Sequence, residues 1–184
     1  MKTIKSRLMM LTISLVTAAS VTFAAQARSS ANTSGDAHTN NKIRKELVTL
    51  PYYGVFDNLA YEVQGNTVIL SGQVVRPTTR KDAERRVARI EGVDRVINNI
   101  EVLPVSGFDD SIRARAYRAV FGSGSNYRYA MGANPSIHIV VNRGHITLEG
   151  IVSNRMDSQL AYMAANRVPG VFGVTNNLRV ASGS

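Results

Sequence analysis

Ile90-Glu91-Gly92-Val93-Asp94-Arg95-Val96-Ile97-Asn98-Asn99-Ile100 is read again 78 residues later, as Val168-Pro169-Gly170-Val171-Phe172-Gly173-Val174-Thr175-Asn176-Asn177-Leu178. The same shift carries Leu59, Tyr61 and Val63 onto Ile137, Ile139 and Val141. It carries Val68, Leu70 and Gly72 onto Ile146, Leu148 and Gly150, and Ala83 and Val87 onto Ala161 and Ala165, with no gap between Leu59 and Val102. Apolar period, glycines and an Asn-Asn pair do not stay in step over that length by chance. The chain is a duplication of one small module.

The periods assign the elements. Leu59-x-Tyr61-x-Val63 alternates as a half-buried strand does. Gly65-Asn66 signals a turn, and Val68-x-Leu70-x-Gly72-x-Val74 returns as the second strand. Thr78 or Thr79 is expected to cap a helix, with Asp82 in its first turn. Ala83, Val87 and Ile90 share one face of that helix, and Gly92 ends it. Val96 to Val102 is the last strand, and a short helix near Lys42 to Val48 comes before the hairpin. The second copy predicts a helix from about Asp110 to Phe121, a hairpin through Asn142-Arg143-Gly144, a helix from about Met156 to Arg167 and a strand from about Phe172 to Val180. The expected fold is therefore α+β: two tandem αββαβ modules, each a three-stranded sheet packed on two helices, with Gly72, Gly92, Gly150 and Gly170 as structural turn glycines. A core of that size is marginal alone, so the two copies are expected to lean on each other.

Residues 1–27 do not belong to this pattern. Lys2, Lys5 and Arg7 precede an apolar run from Leu8 to Phe23, and Ala25-Gln26-Ala27 has the small-x-small form of an export cleavage site. The run is shorter than the roughly 20 residues of a membrane span. Residues 28–41 are polar and read as a disordered leader. The modules are then assigned to 42–104 and 108–182, with a linker at 105–107. There is no cysteine, which removes disulfides, thiolate chemistry and cysteine-based zinc sites. The net charge is +9, and the expected cleavage of the signal peptide after Ala27 leaves 19 basic against 13 acidic residues, a net +6. That balance favours anionic surfaces. With export, the expected partners are anionic phospholipid or envelope proteins rather than nucleic acid. The expected location is the periplasm, with secretion not separated from it.

At Val68-Ile69-Leu70-Ser71-Gly72-Gln73-Val74 and at the helix-Gly-Val-strand stretch ending in Asn98-Asn99-Ile100, each present twice, the chain resembles the tandem BON-domain family, named for bacterial osmotically induced and nodulation proteins. The resemblance covers nearly all of the chain beyond the leader. It implies a periplasmic or outer-envelope protein that binds phospholipid surfaces, often under osmotic or envelope stress, with no catalytic residue and no cofactor. Two departures stand out: a short opening helix that stops before Pro51, and a long loop, Gly122 to Ser136, inserted in the second module.

Several surfaces are candidates for that role. Lys81, Arg85 and Arg89, spaced i, i+4 and i+8 and flanked by Arg80 and Arg86, form one basic stripe. It reads either as a phosphate-facing edge or as a solvated helix face beside Asp82, Glu84 and Glu91. Module two has Gln159, Met163 and Arg167 there instead. Its Leu160, Tyr162 and Met163 widen the apolar surface and predict an interface with module one, another chain or lipid. Tyr127-Arg128-Tyr129 in the inserted loop suits a membrane interface; the alternative is a loop that packs Tyr129 and Met131 over the core edge. Tyr52-Tyr53 occupies a comparable loop in module one. His138 and His145 lie in the phase opposite the apolar positions, with Glu149, but no further spacing supports a metal site. Asp109-Asp110 reads as a helix cap. Ile69 and Val140, in the outward phase, favour the alternative of a protein-interaction module bracing an envelope complex. A hydrolase has no residue constellation behind it.

Overall fold

The computed structural model describes residues 37–122, 124–132 and 134–181. The segment read as an export signal, and the leader up to residue 36, lie outside the described residues. Module one comprises helix α1 (37–48), strands β1 (Asn58–Gln64) and β2 (Thr67–Val74), helix α2 (Pro77–Val87) and strands β3 (Arg95–Asn98) and β4 (Glu101–Val102). Module two comprises α3 (Gly107–Phe121), a 3-10 turn (Ser125–Ala130), β5 (Ile137–Asn142), β6 (His145–Val152), α4 (Arg155–Asn166), β7 (Gly173–Asn176) and β8 (Arg179–Val180). In each module the middle strand pairs antiparallel with the first and parallel with the last. The fold is α+β with two repeated αββαβ modules. Each closing strand is broken into two pieces by its Asn-Asn pair.

The repeat holds at the level of single bonds. Val68, Leu70, Val74, Ala83, Val87 and Ile90 are buried in one core, and Ile146, Leu148, Val152, Ala161, Ala165 and Val168 are buried in the other. Asn98 Oδ1 accepts from Ile100 N at 3.2 Å, and Asn176 Oδ1 accepts from Leu178 N at the same distance. Their amides donate back to the preceding helix, to Arg80 O in one copy and to Ser158 O in the other. The break in the strand leaves backbone groups unpaired, and this Asn side chain satisfies one of them while tying strand to helix. Gly72 and Gly150 lie at φ +112 and +119; a Cβ there would stand 2.1 Å from Asn58 O and 2.0 Å from Ser136 O. These glycines let the middle strand pass its neighbour's backbone.

Several local expectations are corrected. α1 reaches back to residue 37, into the last positions assigned to the leader. Thr78 and Thr79 do not cap α2: Pro77 occupies its first turn, Arg76 precedes it without a side-chain cap, and Asp82 lies past the first turn. Pro77 pre-sets the helical φ and needs no donor partner. α2 ends at Val87 and tightens into i to i+3 turns at Arg89 and Ile90, so Gly92, at φ +90, turns the chain into β3 rather than ending the helix. Similarly α4 ends at Asn166, before Gly170. α3 starts at Gly107, capped by Ser106, whose hydroxyl accepts from Asp109 N. Asp109 is thus not the cap, and the connection between modules shortens to Pro104-Val105.

The two modules touch through Val48 and residues 53–57. Val55 O accepts from Ile139 N at 2.7 Å, Gly54 O accepts from His138 Nδ1 at 3.2 Å, and Asn134 Nδ2 donates to Val48 O at 2.7 Å. Because Gly54 O can only accept, Nδ1 carries the proton, and Nε2 faces the Tyr53 hydroxyl at 3.4 Å. Phe56 meets Tyr117 edge-on at 6.4 Å, and Val55 and Phe56 pack on the core of module two. Asp57, itself buried, shapes this segment by accepting from Gly54 N at 3.0 Å and Val75 N at 2.7 Å. β5 is an edge strand, and uncovered edges are a liability. Here Val55 takes one edge group, and the buried Arg113 guanidinium takes another, Val141 O, at 2.8 Å. Both faces of β5 are consequently buried, including the outward-phase His138 and Val140.

Gly72→Ala and Gly150→Ala should each destabilise the protein by at least ~1–3 kcal/mol, the cost of a strained backbone conformation, measured by urea unfolding; a silent change at either site would contradict the equivalence of the two crossings. The pH response should expose the module contact. Burial pushes His138 below its ordinary value, with the Gly54 bond and nearby Asp57 and Glu149 only partly opposing it. The unfolded chain takes up that proton below about pH 6.5, while the folded chain resists, so stability present above that pH is lost as pH falls through the window beneath it. Asp57 acts in the opposite sense: burial raises it, so its contribution is fullest below the usual carboxylate value and is lost as pH rises. Thermal unfolding at pH 7.5 and 5.5 should therefore show a larger drop for the wild type than for His138→Gln, and equal drops would refute a neutral, buried imidazole.

Candidate functional site

Asp109, in the first turn of α3, is where the end of module two is built. Its two carboxylate oxygens accept from Arg143 N and Gly144 N, at 2.9 and 2.8 Å. Those residues form the β5–β6 turn with left-handed φ values of 51 and 79, the mirror-image turn that fits strand twist. Gly144 O then accepts from Phe172 N at 2.9 Å. A Cβ at Gly144 would stand 2.6 Å from the Phe172 ring, so the glycine also makes room for the side chain. Phe172 meets Phe108 of α3 at 5.8 Å between ring centroids, and His145 meets Phe172 edge-on at 5.9 Å. Phe172 is 70 % exposed and Phe108 46 %. Arg143 is exposed on the same turn, and Arg115 stands with Phe108 over Gly170.

The residues singled out by the sequence fall elsewhere. Lys81 and Arg85 are exposed on α2, while Arg89 is exposed in the turn beyond it. Arg85 bonds to Asp82 at 2.7 Å, and Arg86 turns toward Glu46 on α1 at 3.4 Å. In the inserted loop, Tyr127 is exposed, but Tyr129 is buried. The Tyr129 hydroxyl donates to Asp157 at 2.5 Å and accepts from Ser153 N at 2.8 Å. Arg128 forms an ion pair with the same carboxylate, and its bonds to Tyr129 and Asp157 raise its affinity for the proton. The loop is thus fastened to the start of α4, with Tyr127 and Met131 left outside. On α4, Met156, Leu160, Tyr162 and Met163 are exposed rather than packed on module one. His138 and His145 do share a sheet face, but His138 is opposite Glu149 and His145 opposite Asn142, four residues away along the strand, or roughly 13 Å at strand spacing. Among the described residues no three metal-ligating side chains cluster.

Between the modules lies a cleft of about 610 Å³. Tyr53, Leu59, Ala60 and Val48 line one side, and residues from β5, β6 and β8 line the other. Arg44 of α1 and Arg179 of β8 both border it, and both also border an adjoining hollow of about 420 Å³ walled by Leu47, Leu59 and Tyr61. Burial lifts the Tyr53 hydroxyl to about 12, so it stays a neutral donor at the cleft wall. Sequence periodicity alone gives no sign of this cleft.

The BON domain family model matches residues 35–104 and 125–182. Among curated proteins no match is found. Among solved structures, the chain is similar to CdsD, a structural protein of the type III secretion system of Chlamydia trachomatis, at 10 % identity over 79 % of this chain and 94 % of that one, with a TM-score of 0.30. Its C-terminal domain is matched at 11 % identity over 77 % and 96 %, with a TM-score of 0.27. BON domains are in general non-catalytic modules of periplasmic or envelope proteins, and among the described residues no helix is long and apolar enough to cross a membrane. With two matched segments that fall on the two αββαβ units and together span more than half of the chain, this protein belongs to the BON-domain family.

Proposed function

We propose that the protein is a non-catalytic envelope protein that binds anionic phospholipid surfaces, and that the Phe108–Phe172 pair is its point of contact. The exposed ring pair carries this reading. Water gains nothing from two adjacent phenylalanine rings, and contiguous exposed apolar groups mark interaction sites. Cations beside aromatic rings suit the lipid interface, where the rings enter the headgroup boundary and the guanidinium groups of Arg115 and Arg143 meet phosphate. The net positive charge draws the protein toward such a surface. Lys81, Arg85 and Arg89 add to that attraction, each worth on the order of 1 kcal/mol if held close to the bilayer. A role in osmotic or envelope stress protection, after export to the periplasm, rests on the family resemblance and on the amino-terminal segment.

A second reading, docking onto an envelope protein, is favoured by the exposed Met156, Leu160 and Met163, which follow one another at i, i+4 and i+7 on α4. Co-sedimentation separates the two. Wild-type protein should pellet with vesicles of phosphatidylcholine and phosphatidylglycerol, less with phosphatidylcholine alone, and less as salt rises. Phe108→Ser with Phe172→Ser should weaken that binding by about 10-fold or more, since full burial of each ring contributes ~1.5–3 kcal/mol. Lys81→Gln with Arg85→Gln and Arg89→Gln should weaken it less and flatten its salt dependence. No binding of the wild type to anionic vesicles at low salt would remove the lipid reading, and unchanged binding by the double phenylalanine variant would remove the contact point.

A further inference from the structure

We infer that the cleft between the modules binds a single-chain anionic amphiphile, an acyl or alkyl chain with a phosphate or carboxylate head. The head would meet Arg44 and Arg179. These residues come from different modules and border the same two hollows. Among the described residues neither guanidinium has an ion pair or a hydrogen bond. Two like charges brought to one concave site and held in no ion pair favour an anion there, and arginine's fork geometry suits phosphate and carboxylate oxygens. The one acid bordering the cleft, Glu149, is held by Asn177 Nδ2 at 2.7 Å, and no acid borders the adjoining hollow that the two arginines share.

The chain would lie along the apolar wall. Leu47, Val48, Leu59 and Tyr61 line the hollow next to both arginines. The cleft volume falls within the ~300–1,000 Å³ usual for small-molecule sites, and the adjoining hollow has their usual composition, a mostly apolar lining with a few polar anchors. A site of this form arises only because two modules meet: neither copy alone holds both arginines. It is also independent of membrane docking. The cleft borders Gly150 and Ile151 at one end of β6, whereas the phenylalanine pair sits beyond His145 at the other.

Calorimetric titration with dodecyl phosphate below its micelle-forming concentration tests the inference. Saturable one-to-one binding is expected. Inorganic phosphate and dodecyl maltoside should each bind at least 10-fold more weakly, because one lacks the chain and the other the charge. Arg44→Gln with Arg179→Gln should weaken dodecyl phosphate at least 10-fold with no change in Tm. Phe108→Ser with Phe172→Ser should leave it unchanged, so that a failure of vesicle binding and a failure at the cleft are told apart. Dodecanoate should behave as dodecyl phosphate does. Absence of saturable binding, equal binding of dodecyl maltoside, equal binding of free phosphate, or an unaffected double arginine variant would each overturn the inference, as would loss of binding in the phenylalanine variant.

Discussion

The hydrogen bond from Ile139 N to Val55 O, at 2.7 Å, is the contact on which the arrangement of the two modules turns. β5 would otherwise present a bare edge. Module one supplies the segment 53–57 that covers it, and Asp57 gives that segment its shape by binding Gly54 N and Val75 N. The burial of His138 and Val140 follows from this, as does the cleft bordered by Arg44 and Arg179. Each module has its own apolar core, and the segment adds Val55 and Phe56 to the margin of the second. What it adds beyond that is a fixed relation between two copies that a two-residue connection, Pro104-Val105, leaves close but not oriented.

Duplication makes a fold cheaply and then frees positions to diverge. The core pairs Leu70 and Leu148, the crossing glycines Gly72 and Gly150, and the strand-break residues Asn98 and Asn176 keep the same bonds in both copies. The divergent positions carry the surface chemistry. Phe172 stands where module one has Asp94, and the stripe of Lys81, Arg85 and Arg89 meets Gln159, Met163 and Arg167. On the proposed function, recognition in this chain comes from what the two copies do not share.

That division also governs how much could be read without coordinates. Strands, helices and repeat were legible because alternation and helical spacing report burial against a module's own core, and Leu59 to Val102 carries both periods twice. The module contact was not legible. His138 and Val140 occupy the outward phase, which ordinarily faces water, and only a segment from 80 or so residues away reverses that. Asp109 was misplaced for a related reason: its bonds reach backbone distant in sequence, so local spacing suggests a cap instead. For Tyr129 the sequence left a lipid contact and a packed ring both open, and only its bonds to Asp157 and Ser153 decide for packing. The phenylalanine pair had a signal that went unread, namely an apolar ring in a turn position whose counterpart is an aspartate.

Native-state hydrogen exchange at the Ile139 amide reports most directly on whether module one closes the β5 edge. If Val55 O holds that proton, the amide should exchange orders of magnitude more slowly than an open edge group, and with a protection comparable to amides inside the β5–β6 ladder. Exchange at the rate of a solvent-exposed amide would mean that the two modules do not share this bond, and the common cleft would go with it.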